Sequence, residues 1–167
     1  MSYRNKTYVI FDGDNDMYAY AYMKGWKTNE KVDFDFYDAH DIKPLTDRAS
    51  DQTIFARLRE RMSNAKQAIV LIGPSTKKLR KFVPWEIEIA KAKHLPIVAV
   101  NLNNKHGLDL DRCPATLRGY PAVHVSFKMK IIKLALDLYT VEFAQNFGSW
   151  EPVARSYDER IYAQLGI

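Results

Sequence analysis

The chain has 167 residues, is 47% hydrophobic and carries 25 Lys and Arg against 20 Asp and Glu, a net charge of +5. That is one domain's worth of chain with ample carbon for a single core, and its mild positive charge admits an anionic ligand without the clustered basic stripe of a nucleic-acid binder. One cysteine, Cys113, excludes an internal disulfide framework and a multi-cysteine metal cage, and no apolar run is long enough to span a membrane, so a reducing, cytoplasmic setting is expected.

In chain order, Thr7-Tyr-Val-Ile-Phe11 reads as a short apolar strand that runs into an acidic loop, Asp12-Gly-Asp14-Asn-Asp16. Gly13 lets the backbone turn sharply, and Asn15 or Asp16 can cap the helix that follows through Tyr18, Tyr22 and Trp26. Residues 32–37 alternate apolar and acidic side chains, as a strand with one wet face does near a sheet edge. Residues 42–50 have no clear period and read as a loop able to overhang a crevice. Ile54, Phe55, Leu58 and Met62 then recur at helical spacing, with Ser50 or Asp51 as N-cap and Arg57, Arg59 and Arg61 as a solvated face.

The central stretch, 68–102, holds an apolar run ending in Gly73-Pro-Ser-Thr76, a helical pattern, and a second β-branched run. This is the pattern of a βαβ unit with two parallel, buried strands. On its helix, Phe82, Val83, Trp85, Ile89, Ala90 and Ala92 share one broad arc. Glu88 lies towards the opposite side with Lys91, as a solvated charge would, but Glu86 points where a helix normally buries carbon. Glu86 therefore has either an internal partner and a structural role, or a pocket and a functional one.

Residues 103–121 form a long polar connection, and 122–127 a fifth strand. An amphipathic helix over 131–145 is expected to turn Leu134, Ala135, Leu138 and Val141 inward, and a short final helix to pack through Ile161, Tyr162 and Leu165. The alternation predicts a doubly wound α/β sheet of about five mostly parallel strands with helices on both faces. Ligands in that architecture sit beyond the carboxyl ends of the strands, where 11–16, 38–41, 73–76 and 101–104 emerge.

Several chemistries lack their motifs. There is no G-x-x-x-x-G-K-[ST], no G-x-G-x-x-G, no H-E-x-x-H and no serine-hydrolase elbow, and the four histidines are scattered. A phosphate-accepting receiver domain would need an Asp at the end of the third strand, where Gly73-Pro74 stands. A metal-dependent nuclease or phosphotransfer enzyme could use Asp12, Asp14 and Asp38 as hard-cation ligands, but without a basic stripe it ranks last.

Taken together, Leu71-Ile-Gly73-Pro-Ser-Thr76, Trp85-Glu86-Ile-Glu-Ile-Ala90 and Val98-Ala-Val-Asn101-Leu resemble the core of the TIR-like family of the Thoeris antiphage system. The acidic loop after Phe11, Cys113-Pro114 and His124-Val-Ser-Phe-Lys128 extend the resemblance to about residues 5–135, leaving 136–167 as a helical extension of one domain. The resemblance implies a TIR-type, flavodoxin-like sheet. It further implies an enzyme that takes NAD as substrate, with no other cofactor and no metal, and makes a cyclic or otherwise modified ADP-ribose signal for a partner effector. Homo-oligomers would be compatible with it. The family's essential glutamate matches Glu86. A carboxylate beside the ribose can stabilise the oxocarbenium character that develops as nicotinamide leaves. By crevice position, Phe11 and Trp85 are candidate walls, and Asp12, Asp14, Ser75 and Thr76 candidate contacts to ribose or phosphate. The acidic loop departs from what a diphosphate would favour unless Lys77, Lys78 or Arg80 offsets it. The rival reading is a noncatalytic TIR-like module that self-associates or binds a nucleotide without cleaving it.

Overall fold

A computed structural model describes residues 6–31, 37–38 and 49–167. Residues 32–36 of the expected second strand, the run 39–41 and most of the expected overhanging loop, 42–48, lie outside the described residues. Among the described residues, six strands form one sheet in the order β2-β1-β3-β4-β5-β6, with every pairing parallel. They are β1 (Lys6–Ile10), β2 (Tyr37–Asp38), β3 (Gln67–Ile72), β4 (Ile97–Asn101), β5 (Val123–Ser126) and β6 (Arg155–Ser156). β1, β3, β4 and β5 are the expected strands, β2 holds Tyr37 from the end of the expected second one, and β6 adds a two-residue outer edge beside β5. The runs 67–72 and 97–101 are buried at every position, because both faces of β3 and β4 are covered. The chain steps outward from β1 to β2 and returns to β3 on the other side of β1, so the strand order reverses at β1 and β3, beyond whose carboxyl ends this architecture places its ligand crevice.

Alternation along β1 divides the two faces. Tyr8 points to the side of α2 (Asp51–Arg61) and α3 (Val83–Ala92), while Thr7 points to the other side. There Gln67 Nε2 donates to Thr7 Oγ1 at 2.6 Å, and the Thr140 hydroxyl donates to Gln67 Oε1, tying the C-terminal helical segment to the sheet. α1 (Met17–Thr28) buries Ala19, Tyr20 and Met23. α2 starts where expected: Ser50 Oγ accepts from the Thr53 N–H at 3.2 Å, which satisfies one of the free donors of the first turn.

The helix expected over 131–145 differs in phase. α5 (Met129–Leu134) is followed by a π-helical turn, Ala135–Tyr139, and then by α6 (Thr140–Asn146). Leu138 and Val141, expected inward, are 50% and 53% exposed, whereas Ala135, Leu136, Tyr139 and Phe143 are buried. The wide turn takes up an extra residue and rotates the buried face by about one position. Aromatic packing rewards that rotation: Phe143 stacks on Phe147 at 4.7 Å, Tyr139 on Trp150 at 5.7 Å, and the Arg155 guanidinium sits 3.9 Å from the Trp150 ring.

A four-residue helix, α4 (Ala115–Arg118), interrupts the connection between β4 and β5. The final helix, α7 (Glu159–Leu165), packs as expected through buried Tyr162, with Ile161 and Leu165 half-buried. Tyr162 Oη accepts from the Ser126 N–H at 3.2 Å, its ring is stacked on His106 at 3.7 Å, and His106 Nδ1 meets Glu159 at 2.9 Å. Among the described residues no helix is long and apolar enough to cross a membrane.

Candidate active site

Glu86 sits in the first turn of α3, where Pro84 suits a helix start because the N–H it lacks would have no partner there. Its place on the inward arc with Val83, Ile87 and Ala90 leaves it 4% exposed. The Tyr8 hydroxyl, itself buried, donates to Glu86 Oε1 at 2.6 Å. Burial pushes the Glu86 carboxyl up to about 7, against the Tyr8 hydrogen bond and the positive charge of Arg61, which pull it down. Arg61, expected on a solvated face, is instead half-buried, and its charge also reaches Tyr8. Tyr8 holds its proton more tightly than a free phenol, through burial first and then the neighbouring carboxylate, so it is the donor of the pair. Glu88 is exposed and pairs with Lys91 at 3.1 Å, as its side of the helix predicts.

The loop after β1 is organised by Asp12. Its Oδ1 accepts from the backbone N–H groups of Asp14 and Asn15 at 3.0 and 3.3 Å, and its Oδ2 from Asn15 Nδ2 at 2.8 Å. Asp12 is thus engaged in turn chemistry, while the Asp14 side chain is exposed. Asp16 occupies the N-cap position of α1 without a capping bond from its side chain. Its carboxylate is turned inward instead, 1% exposed, with Oδ2 lacking a hydrogen-bond partner among the described residues. A Cβ on Gly73 would lie 2.3 Å from that Oδ2, so only glycine fits at the head of the loop after β3. Burial and then the charge of Asp12 raise the Asp16 carboxyl above its usual range, with Arg112 acting the other way. Across the loop, the Thr76 hydroxyl accepts from the Gly73 N–H at 2.8 Å, and Ser75 is half-buried.

The two aromatic candidates stand elsewhere. Phe11 is 5% exposed and stacked on Tyr20 at 4.7 Å, which makes it part of the core under the crevice. Trp85 follows the next helical direction from Glu86 and packs on Phe55 and Phe82 at 6.4 and 6.3 Å. It lines an open groove of about 390 Å³ between α2 and α3 with Asp51, Gln52, Phe55, Ala56 and Arg59. Glu86, Asp12, Asp16 and Thr76 are therefore among the polar side chains folded inward near the ends of β1 and β3, while Trp85 faces the groove between α2 and α3.

At the ends of β4 and β5, Asn101, His124 and Ser126 are fully buried on the sheet face shared with Tyr8. Asn101 Nδ2 holds the following loop through the carbonyls of Lys105 and Gly107, at 3.0 and 2.7 Å. Among the described residues, Asn101 Oδ1, Ser126 Oγ and both His124 ring nitrogens have no hydrogen-bond partner, and burial holds His124 down at about 4. Among the described residues no group of three or more His, Cys, Asp or Glu side chains is arranged to hold a metal ion. Asp38, the third acid of the hard-cation reading, has no described side chain.

Tyr8 and Asp16 were the residues missed by sequence reasoning as members of the site. A phenol in the middle of an otherwise aliphatic buried strand was the available signal for Tyr8, because its hydroxyl needs a partner. Asp16 read as an ordinary cap, and only its packing against Gly73 separates it from Asp12.

No curated protein sequence matches the chain. A solved structure titled as a conserved protein from Enterococcus faecalis V583 is similar over 98% of each chain, at 16% identity and a TM-score of 0.44. The family profile described as "Thoeris protein ThsB, TIR-like domain" matches residues 8–107, which runs from Tyr8 through Asp16, Gly73, Thr76 and Glu86 to the loop after β4. That match covers more than half of the sequence, and the chain belongs to the Thoeris ThsB TIR-like family.

Proposed function

We propose that the protein cleaves the bond between nicotinamide and ribose in NAD, with Glu86 as the catalytic carboxylate, as one step of a defence-related TIR-like role. The reading is carried by one observation: a single carboxylate, buried in the first turn of α3 and pushed by burial up to about 7, where the sequence resemblance implies the family's glutamate. A buried carboxylate poised near neutrality is costly for the fold and useful for chemistry. Its proximity to a ribose would favour positive charge at C1′ as the bond to nitrogen breaks. Nicotinamide leaves with the bonding electron pair as a neutral base. Water, or another nucleophile of the same molecule, then supplies the new bond at C1′ and gives up a proton, yielding ADP-ribose or a cyclic form of it. Glu86 in its ionised form can take that proton. Half-buried Ser75 and exposed Asp14 are the side chains at the rim that could meet sugar hydroxyls, with buried Asp16 and Thr76 behind them. NAD would be the substrate and no further cofactor is called for. The product would act as a signal to a downstream effector.

The noncatalytic alternative is favoured by one feature, the internal hydrogen bond between Tyr8 and Glu86, which already gives the carboxylate a structural partner. The decisive comparison incubates wild type and Glu86→Gln with NAD, with and without extract of phage-infected cells, and follows nicotinamide and nucleotide products by mass spectrometry. Release by wild type alone is the expected result. Equal release by both removes Glu86 from the mechanism, and no release by either, with both proteins folded and extract present, favours the binding module.

A further inference from the structure

We propose that Tyr8 is the positioning residue for Glu86: its hydroxyl clamps Oε1 from the middle of β1 and thereby presents Oε2 as the working oxygen. The inference rests on the reading of Glu86 as the catalytic carboxylate. Its geometry is independent of that reading. Tyr8 and Glu86 are 78 residues apart in sequence, both are buried, and they meet at 2.6 Å, within the short range of a hydrogen bond to a charged oxygen. Among the described residues no second hydrogen bond reaches the Glu86 side chain, so one oxygen is committed and the other is not. A glutamate otherwise rotates freely about its last torsion, which would scatter the charge relative to a sugar carbon. Because Tyr8 lies on a central strand flanked by β2 and β3, its hydroxyl is fixed to the sheet while Glu86 is fixed to α3. The clamp therefore converts a loose carboxylate into one held by two rigid elements.

The charged and titratable groups that face this pair come from two elements. Arg61 of α2 acts on both members, and Tyr20 of α1 acts on Tyr8. The other charged residues of α3, Glu88 and Lys91, face each other at 3.1 Å on its outer side. Removing the phenol hydroxyl takes away the first of the influences that lower the Glu86 carboxyl. A residue that only filled space would leave that titration where it is.

The test compares wild type, Tyr8→Phe and Glu86→Gln, each checked for folding by circular dichroism. The carboxyl carbon of Glu86 is followed by NMR against pH, its signal assigned by its loss in Glu86→Gln. In Tyr8→Phe the midpoint is expected to move up by about half a unit or more, since a hydrogen bond to the charged form is lost. In nicotinamide release, Tyr8→Phe is expected to lower kcat by about tenfold or more with KM within about twofold, and to move the acid limb of the pH profile upward. An unchanged Glu86 midpoint in folded Tyr8→Phe overturns the clamp, even if the resting protein shows no turnover. So does a wild-type kcat and pH profile in Tyr8→Phe when Glu86→Gln is inactive. Activity retained by Glu86→Gln brings down the catalytic reading itself, whatever the titration shows.

Discussion

Two buried side chains make opposite demands on pH. Glu86 titrates at about 7 in the fold against 4.5 for an ordinary glutamate, so its contribution to stability is complete below 4.5 and is lost as pH rises through 7. His124 is held at about 4 against 6.5, so its contribution is complete above 6.5 and is lost as pH falls towards 4. Between pH 4.5 and 6.5 the unfolded chain binds a proton at the histidine and the folded chain binds one at the glutamate, and the two slopes cancel. Glu86→Gln removes one side of that balance. Urea unfolding is expected to show the variant more stable than wild type at pH 8, by on the order of 3 kcal/mol, with the gap closing towards pH 4. The same variant should lose about 1.4 kcal/mol per pH unit on acidification from pH 6.5 to 4.5, where wild type is flat in these two groups. A variant no more stable at pH 8 would mean that Glu86 is ionised at little cost in the native protein.

Among the elements, the C-terminal helical segment shows best where periodicity stops being informative. Leu134, Leu138 and Val141 make a plausible apolar stripe, and the phase they define is wrong for Leu138 and Val141, which lie on the outside. A π-helical turn leaves no simple mark in composition, and an apolar residue on the surface is ordinary. The competing stripe through Tyr139 and Phe143 wins because aromatic rings bury more area and find Phe147 and Trp150 to pack on. Phe143→Ala is accordingly expected to cost about 3–5 kcal/mol in chemical denaturation, and Leu138→Lys to stay within about 0.5 kcal/mol of wild type. Equal losses would restore the simpler helix. Elsewhere the elements were legible for clear reasons: β3 and β4 as apolar runs rich in β-branched residues, α2 from its serine cap, α7 from its spacing.

At the scale of the whole molecule, the parallel α/β sheet followed from alternation of strand and helix, while the order of its strands had to come from the structure. The site was legible only in part. Glu86 announced itself as a charge on an apolar arc, a conflict visible in one dimension. Its partner Tyr8 did not, because a hydrogen bond across 78 residues exists only once the sheet is assembled. The same holds for Tyr162, whose hydroxyl reaches back to the Ser126 N–H at the end of β5. Tyr162→Phe keeps the ring and its stack on His106 but leaves that buried donor unmet, and is expected to cost about 1–3 kcal/mol, read as a lowered thermal midpoint. An unchanged midpoint would mean that water replaces the tyrosine. One further contact has a mechanical meaning. The Asp16 carboxylate fills the space beside Gly73, and the Gly73 N–H is bonded to Thr76, so the first turn of α1 and the loop after β3 mesh like two teeth of one gear. Any group placed beside Gly73 has to displace the Asp16 carboxylate first, so a guest there meets the loop after β1 and the loop after β3 together.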